Sequence, residues 1–106
     1  MLLYHATPKH NMRSIRRRGL MASYSQGKRK VVWLHEADRS AWAMIHTVRR
    51  HGGKIEDVVV LSVEVGGEAL RRHQSGLYYH LADVLPGEIV GVRGFEELSK
   101  SPVEEE

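Results

Sequence analysis

The sequence predicts an α+β domain of two small packed sheets, antiparallel or mixed, with two helices. Both segments with helical spacing lie in the first half of the chain, whereas most apolar runs of strand length lie in the second half. The 106 residues suffice for one hydrophobic core and leave no room for a linker and a second domain. Helices and strands that are gathered in separate parts of one chain are typical of the α+β class.

The chain opens on a predicted strand, residues 2–6, which leads into a helix that runs to about Arg18. Thr7 and Pro8 predict the helix start, because a hydroxyl caps the helix and proline suits the first helical position. Gly19 ends this helix, since glycine readily adopts the left-handed conformation of a C-terminal stop.

A polar loop, residues 22–30, ends in three consecutive bases and precedes a second predicted strand, residues 31–35. Asp38 or Ser40 begins the second helix, and Gly52 ends it after a basic last turn. Four apolar residues at helical spacing are predicted to face the core: Ala41, Trp42, Ile45 and Val48.

The strongest strand pattern spans residues 58–65, and its apolar character on both faces predicts a position inside the sheet. A single helical turn is predicted at 68–72, followed by strands at 77–81 and 88–93. We expect one domain over residues 1–98.

Charge is distributed unevenly along the chain. Residues 96–106 hold five of the thirteen acids, so residues 1–95 carry 15 bases against 8 acids. We expect residues 99–106 to form an acidic flexible tail. A basic body favours polyanions, such as nucleic acid or a pyrophosphate cofactor, although charge alone does not specify chemistry.

The composition excludes several classes of function. Cysteine is absent, which excludes disulfides, thiolate nucleophiles and cysteine zinc sites and slightly favours a cytoplasmic location. The sequence contains no run of about 18 apolar residues, so no membrane span is predicted. His46 and His51 have no carboxylate at a suitable spacing, so no metal site is predicted.

Four stretches together resemble a known superfamily. Residues 4–7, YHAT, resemble the YHGT motif of the ADP-ribosyltransferases. Residues 32–35, followed by a helix with a basic end and a valine-rich strand, are similar to the RNA 2′-phosphotransferase branch. Residues 72–78 stand where that branch carries RSENGVW, and residues 84–89 resemble its VPPRYI. The matches occur in the same order across nearly the whole chain.

The resemblance implies an ADP-ribosyltransferase-like fold, a split pair of sheets that grips NAD. In that arrangement His5 would bond a ribose hydroxyl, the main chain of Ala6 would hold the nicotinamide amide, and Arg72 would hold a 2′-phosphate on RNA. A phosphate oxygen would attack the ribose anomeric carbon as nicotinamide leaves, and a ribose hydroxyl would then attack phosphorus. The implied catalytic pair is His5 and Arg72, and the implied cofactor-binding set is Tyr4, His5, Ala6, Thr7, Leu34 and His35.

The sequence also departs from the family pattern. The phosphotransferases carry an N-terminal basic lobe that supplies an arginine and a histidine, so a protein partner would have to supply that lobe here. Ala6 replaces the family glycine, and His35 replaces a serine. No glutamate stands at the position that protein-modifying members use, and Glu36 is expected to face solvent. A catalytically reduced module that binds NAD, another nucleotide or RNA is therefore the alternative function.

Trp33 allows two interpretations from the sequence. A tryptophan on a strand more often belongs to the core. If Trp33 were exposed beside the basic loop, it would offer a surface on which nucleic-acid bases stack.

Overall fold

A computed structural model describes residues 1–25 and 28–100 and confirms the α+β class. In this part of the chain one antiparallel sheet of six strands is accompanied by three α-helices and several short 3-10 turns. The strands are β1 (Leu2–Pro8), β2 (Val32–His35), β3 (Val58–Glu64), β4 (Leu70–Gln74), β5 (Leu77–His80) and β6 (Ile89–Gly94), and the helices are α1 (Met12–Arg18), α2 (Ser40–His51) and α3 (Phe95–Lys100).

The strands form one sheet where the sequence predicted two. Their order is β4-β5-β2-β1-β3-β6, and every neighbouring pair is antiparallel. β1 and β3 share seven ladder pairs, whereas β1 and β2 share the single pair Tyr4–His35. The sheet therefore consists of two three-stranded halves, β4-β5-β2 and β1-β3-β6, joined at one point.

Each face of the sheet packs on its own hydrophobic core. On the face that we call the α1 face, α1 contributes Met12 and Ile15 to a core built on Leu3, Leu34 and Leu61. On the opposite α2 face, a second cluster contains Met44, Val58 and Val60, with Tyr4 and Ala6 packed against it. Because side chains alternate along a strand, residues 3, 5 and 7 of β1 belong to the α1 face.

The predicted helix start at Thr7 and Pro8 is wrong. β1 continues through both residues, which pair with Val59 and Val58 of β3, and α1 begins only at Met12 after a 3-10 turn. The long partner strand β3 supplies cross-strand partners as far as Pro8, and this pairing outweighs the local preference for a helix cap.

Of the four α2 residues predicted to face the core, Val48 packs against the α2-face cluster, but the other three do not. Trp42 and Ile45 are each 46% exposed, whereas Ala43, Met44 and Thr47 are buried. Thr47 tolerates burial because its hydroxyl donates to the Ala43 carbonyl within the helix, at 2.7 Å. Trp42 instead lies flat on His46 at the surface, with ring centroids 5.1 Å apart.

The predicted helical turn at 68–72 is mostly strand, since β4 begins at Leu70 and forms a hairpin with β5. The hairpin turns at Gly76, whose φ of 77° favours glycine. The predicted domain boundary at residue 98 falls within α3, and residues 101–106 of the predicted tail lie outside the described part of the chain. Within that part, no helix is both long and apolar enough to cross a membrane.

Candidate functional site

The junction between β1 and β2 is the candidate site, because the YHAT motif of β1 lies there beside Trp33 and His35 of β2. His5 Nδ1 lies 2.7 Å from the carbonyl oxygen of Trp33, where an adjacent strand would normally supply a main-chain N–H. Beyond the pair Tyr4–His35, no further ladder pair joins the two strands in the described residues. The facing edges of β1 at Ala6 and β2 at Trp33 therefore offer main-chain groups to a ligand.

His5 is a neutral hydrogen-bond acceptor at this junction. A carbonyl oxygen only accepts, so the proton of the neutral ring resides on Nδ1 and a lone pair remains on Nε2. Burial lowers the pKa of His5 and is the largest effect on it. The hydrogen bond to the Trp33 carbonyl raises the pKa in part, and the nearby imidazoles of His35 and His51 lower it further. A half-buried acceptor of this kind suits a ribose hydroxyl.

His35 contributes a second imidazole of the same tautomer. Its Nδ1 donates to the carbonyl of Glu36 at 2.9 Å, and its ring stacks on Tyr4 with centroids 6.1 Å apart. Burial lowers its pKa, so the ring is neutral and Nε2 is an acceptor. This Nε2 is buried without a hydrogen-bond partner in the described structure. Such an atom is costly to leave unpaired, and so it marks a place where a ligand group or water would be stabilised.

The predicted cofactor-binding residues meet at the junction but lie on two faces of the sheet. His5, Thr7 and Leu34 belong to the α1 face, and Tyr4, Ala6 and His35 belong to the α2 face. Thr7 and Leu34 are buried, at 5% and 1% exposure, whereas Tyr4, His5 and Ala6 are half-buried. The accessible part of the predicted set is therefore the segment 4–6.

Arg72 lies on β4, exposed, and does not contact His5 directly. It faces Tyr78 across the β4–β5 ladder, and Tyr78 faces Leu34 of β2. The row from His5 through Leu34 and Tyr78 to Arg72 crosses three strand spacings, or about 14 Å. Both predicted catalytic residues thus share the α1 face, with the buried Leu34 between them.

Sequence reasoning missed a polar pair in this row. The Tyr78 hydroxyl donates to Glu36 Oε2 at 3.0 Å, and Glu36 is half-buried, although solvent exposure was expected. This hydrogen bond to a carboxylate is the main reason that the pKa of Tyr78 is raised. Glu36 directly follows the junction residue His35, and its partner Tyr78 stands two strands away from β1. The hairpin geometry that unites them has no local sequence signal.

Two concave regions lie next to β1. A cavity of about 350 Å³ separates α2 from the sheet and reaches Tyr4, with the following lining: Ala37, Ser40, Ala41, Met44, Ile55, Val60, Ser62, Arg93, Phe95 and Leu98. Another of about 360 Å³ lies between Pro8 and the C-terminus of α2, lined by Lys9, His10, His51 and Lys54 among others. Neither includes His5, His35 or Arg72. Among the described residues, no three histidine, aspartate or glutamate side chains are grouped to hold a metal ion.

Comparisons with known proteins identify the fold and no family. No family model and no curated protein matches the chain. Among solved structures, the chain is similar to protein CC0527 from Caulobacter crescentus, a structural genomics target. The two share 15% identity over 89% of this chain and 85% of the other, with a TM-score of 0.60. At this level of identity the likeness concerns the fold alone.

Proposed function

We propose that this protein is an NAD-dependent transferase of the ADP-ribosyl type, which binds the dinucleotide where β1 and β2 separate. The observation that carries the proposal is the single ladder pair Tyr4–His35, which leaves main-chain edges and two neutral imidazoles at one junction. The unpartnered Nε2 of His35 further supports a ligand there. NAD would supply an activated ADP-ribosyl group whose bond to nicotinamide breaks on transfer.

Residues of the junction have chemistry suited to holding such a ligand. His5 Nε2 would accept a hydrogen bond from a ribose hydroxyl, and the main chain at Ala6 would pair with a carboxamide, since one peptide group both donates and accepts. The Glu36 carboxylate, already bound to Tyr78, retains further acceptor capacity for hydroxyl groups. These groups are fixed by the sheet before the ligand arrives, which lowers the entropic cost of binding.

Arg72 would bind the acceptor and not the same part of NAD as His5, because about 14 Å of sheet separates them. A guanidinium matches two oxygens of a phosphate at once, so a phosphorylated nucleic-acid end, such as a 2′-phosphate on RNA, is the acceptor that we propose. A protein partner would supply the further basic groups that RNA needs. The absence of cysteine supports a cytoplasmic location for this reaction.

Nicotinamide release tests the proposal. Purified protein is incubated with NAD and RNA that carries a 2′-, 3′- or 5′-phosphate, and released nicotinamide is quantified by chromatography. We expect release that requires the phosphorylated RNA and falls at least tenfold in His5→Ala and Arg72→Ala. The matched controls are His10→Ala and Arg49→Ala, which alter exposed residues away from the junction and should retain release. Release no greater than in buffer with every acceptor would refute the transferase.

A binding module without turnover is the second candidate, and the position of Leu34 favours it. This side chain is 1% exposed and fills the row between His5 and Arg72, so a reacting group cannot contact both. The module would bind NAD or a related nucleotide at the junction and release no nicotinamide. Calorimetry with NAD, together with the nicotinamide assay, distinguishes the two candidates. The module is supported if the protein binds NAD, His5→Ala abolishes that binding, and no nicotinamide is released.

A further inference from the structure

An aromatic cluster lies on the α2 face of the β4-β5-β2 half, away from both hydrophobic cores. Trp33 of β2 faces Tyr79 of β5 in the ladder, with ring centroids 5.4 Å apart. His73 of β4 approaches Trp33 edge-on at 5.2 Å, and the Arg29 guanidinium lies 4.8 Å from the centre of the Tyr79 ring. We refer to Trp33, His73, Tyr79 and Arg29 as the Trp33 platform.

The Trp33 platform is exposed because α2 covers only the other half of the sheet. The residues that α2 packs against belong to β1 and β3, such as Tyr4 and Val60. Trp33 is 37% exposed, and His73 and Arg29 are exposed as well. An aromatic cluster that lies at the surface and packs in neither core is typical of an interaction site.

The charges around the platform identify the chemistry of that partner. Arg29 belongs to a run of three consecutive basic residues, Lys28 to Lys30, and Arg71 faces Tyr79 across the β4–β5 ladder. Two main-chain carbonyls hold Arg71 Nη1, at 3.0 and 2.9 Å. Basic side chains that alternate with aromatic rings match the alternation of phosphates and unstacked nucleobases in a single-stranded nucleic acid.

We propose that the Trp33 platform binds single-stranded nucleic acid, with a base stacked on Trp33 and phosphates held by Arg29 and Arg71. A duplex would bind more weakly, because its bases are stacked on each other and present no free face. The platform lies on the opposite face of β2 from Leu34, so its binding does not depend on NAD or on transfer at the junction. It would hold a strand beside the junction, on the face of the sheet opposite Arg72.

The two tryptophans of the chain provide a matched test, since Trp33 and Trp42 are both at the surface and only Trp33 belongs to the cluster that includes Tyr79 and Arg29. Fluorescence anisotropy measures binding of labelled twelve-nucleotide oligo-U and oligo-dT at low salt, beside a duplex of the same length. We expect Trp33→Ala to weaken single-strand binding at least tenfold and Trp42→Ala to leave it unchanged, a size consistent with the loss of one stacked base.

Further variants keep the proposal testable if Trp33→Ala disturbs the fold. His73→Ala alters an exposed edge and should weaken binding several-fold, and Arg29→Ala should reduce the dependence of log K on log salt by about 0.7, the value for one phosphate contact. Circular dichroism and thermal unfolding verify the fold of each variant, and calorimetry with NAD is run separately. Three results would each overturn the proposal: no single-strand binding by the unaltered protein, equal loss in Trp42→Ala, or duplex binding as tight as single-strand binding. NAD binding at the junction would stand or fall independently.

Discussion

The unpartnered Nε2 of His35 predicts that one substitution raises the stability of the fold and lowers the affinity for a ligand. His35→Leu removes this buried acceptor, which costs about 1–3 kcal/mol of stability while it lacks a partner. The substitution also removes the hydrogen bond from Nδ1 to the Glu36 carbonyl, which contributes about 1 kcal/mol. Leucine fills a similar volume, so we expect the variant to be between equally stable and about 2 kcal/mol more stable.

His80→Leu is the matched control for this prediction. His80 is buried to a similar degree, at 6% exposure against 4% for His35, and its Nδ1 also donates to a main-chain carbonyl. Among the described residues it has no orphan atom. The control therefore loses a hydrogen bond without compensation and should be about 1 kcal/mol less stable, a difference that urea denaturation resolves.

The pH dependence of the stability difference between His35→Leu and the unaltered protein provides a second test. Burial lowers the pKa of folded His35 below its usual 6.5, so the unfolded chain binds more protons as the pH falls. Stability that depends on neutral His35 is complete above about pH 6.5 and is lost progressively below it. The advantage of His35→Leu should therefore widen from pH 7.5 to pH 5.5. If His35→Leu instead lost as much stability as His80→Leu, Nε2 would have a partner and the reasoning would fail. A variant that gains stability and loses NAD affinity would mark an acceptor retained for ligand binding.

Two further predictions concern the fold and the polar pair. Gly19→Ala and Gly52→Ala both strain a positive φ near 80°, by about 1–3 kcal/mol, but the Cβ at residue 19 would also clash with the Val84 carbonyl oxygen. We expect urea denaturation to show a loss of at least about 2 kcal/mol more in Gly19→Ala, because the two main-chain hydrogen bonds to Val84 would break, and equal losses would contradict the contact. Glu36→Gln should lower the pKa of Tyr78 toward its usual range, since the carboxylate is the main cause of the shift. Ultraviolet titration measures it, and an unchanged tyrosine titration would exclude the hydrogen bond.

The elements with a clear apolar rhythm were predictable from the sequence. The strand at residues 58–65 was predicted inside the sheet, and β3 lies between β1 and β6. The glycines that end α1 and α2 were also placed correctly, because a left-handed stop after a basic turn is a local signal.

The errors occur where a distant strand decides the outcome. Pro8 belongs to β1 because it pairs with Val58 of β3. The arginines of β4 are in a strand because they pair with β5. On α2, Trp42 was assigned to the core by its hydrophobicity and helical spacing, whereas Ala43 and Met44 are the buried residues, and Met44 belongs to the cluster beneath the helix. Local pattern carries no information about the space available under a helix.

The candidate site was predictable in part. The motif predicted a site at residues 4–7, and the structure places Tyr4 of this segment opposite His35 of the second strand. Pairing of His5 with the Trp33 carbonyl and of Glu36 with Tyr78 depends on how the strands separate, which no residue spacing encodes. The burial of Leu34 likewise depends on α1, a helix more than ten residues away in sequence.

The narrow connection between the two halves of the sheet also suggests how an unknown ligand could be found without choosing it beforehand. A molecule that bonds to both β1 and β2 would act as a substitute rung across the gap, so it would hold the halves together and raise Tm. At one hundred times its Kd such a molecule stabilises the fold by about 2.7 kcal/mol, a shift of roughly 10 °C or more in a domain of this size. A thermal-shift screen of nucleotides and their fragments would therefore rank candidate ligands by their affinity for the folded protein.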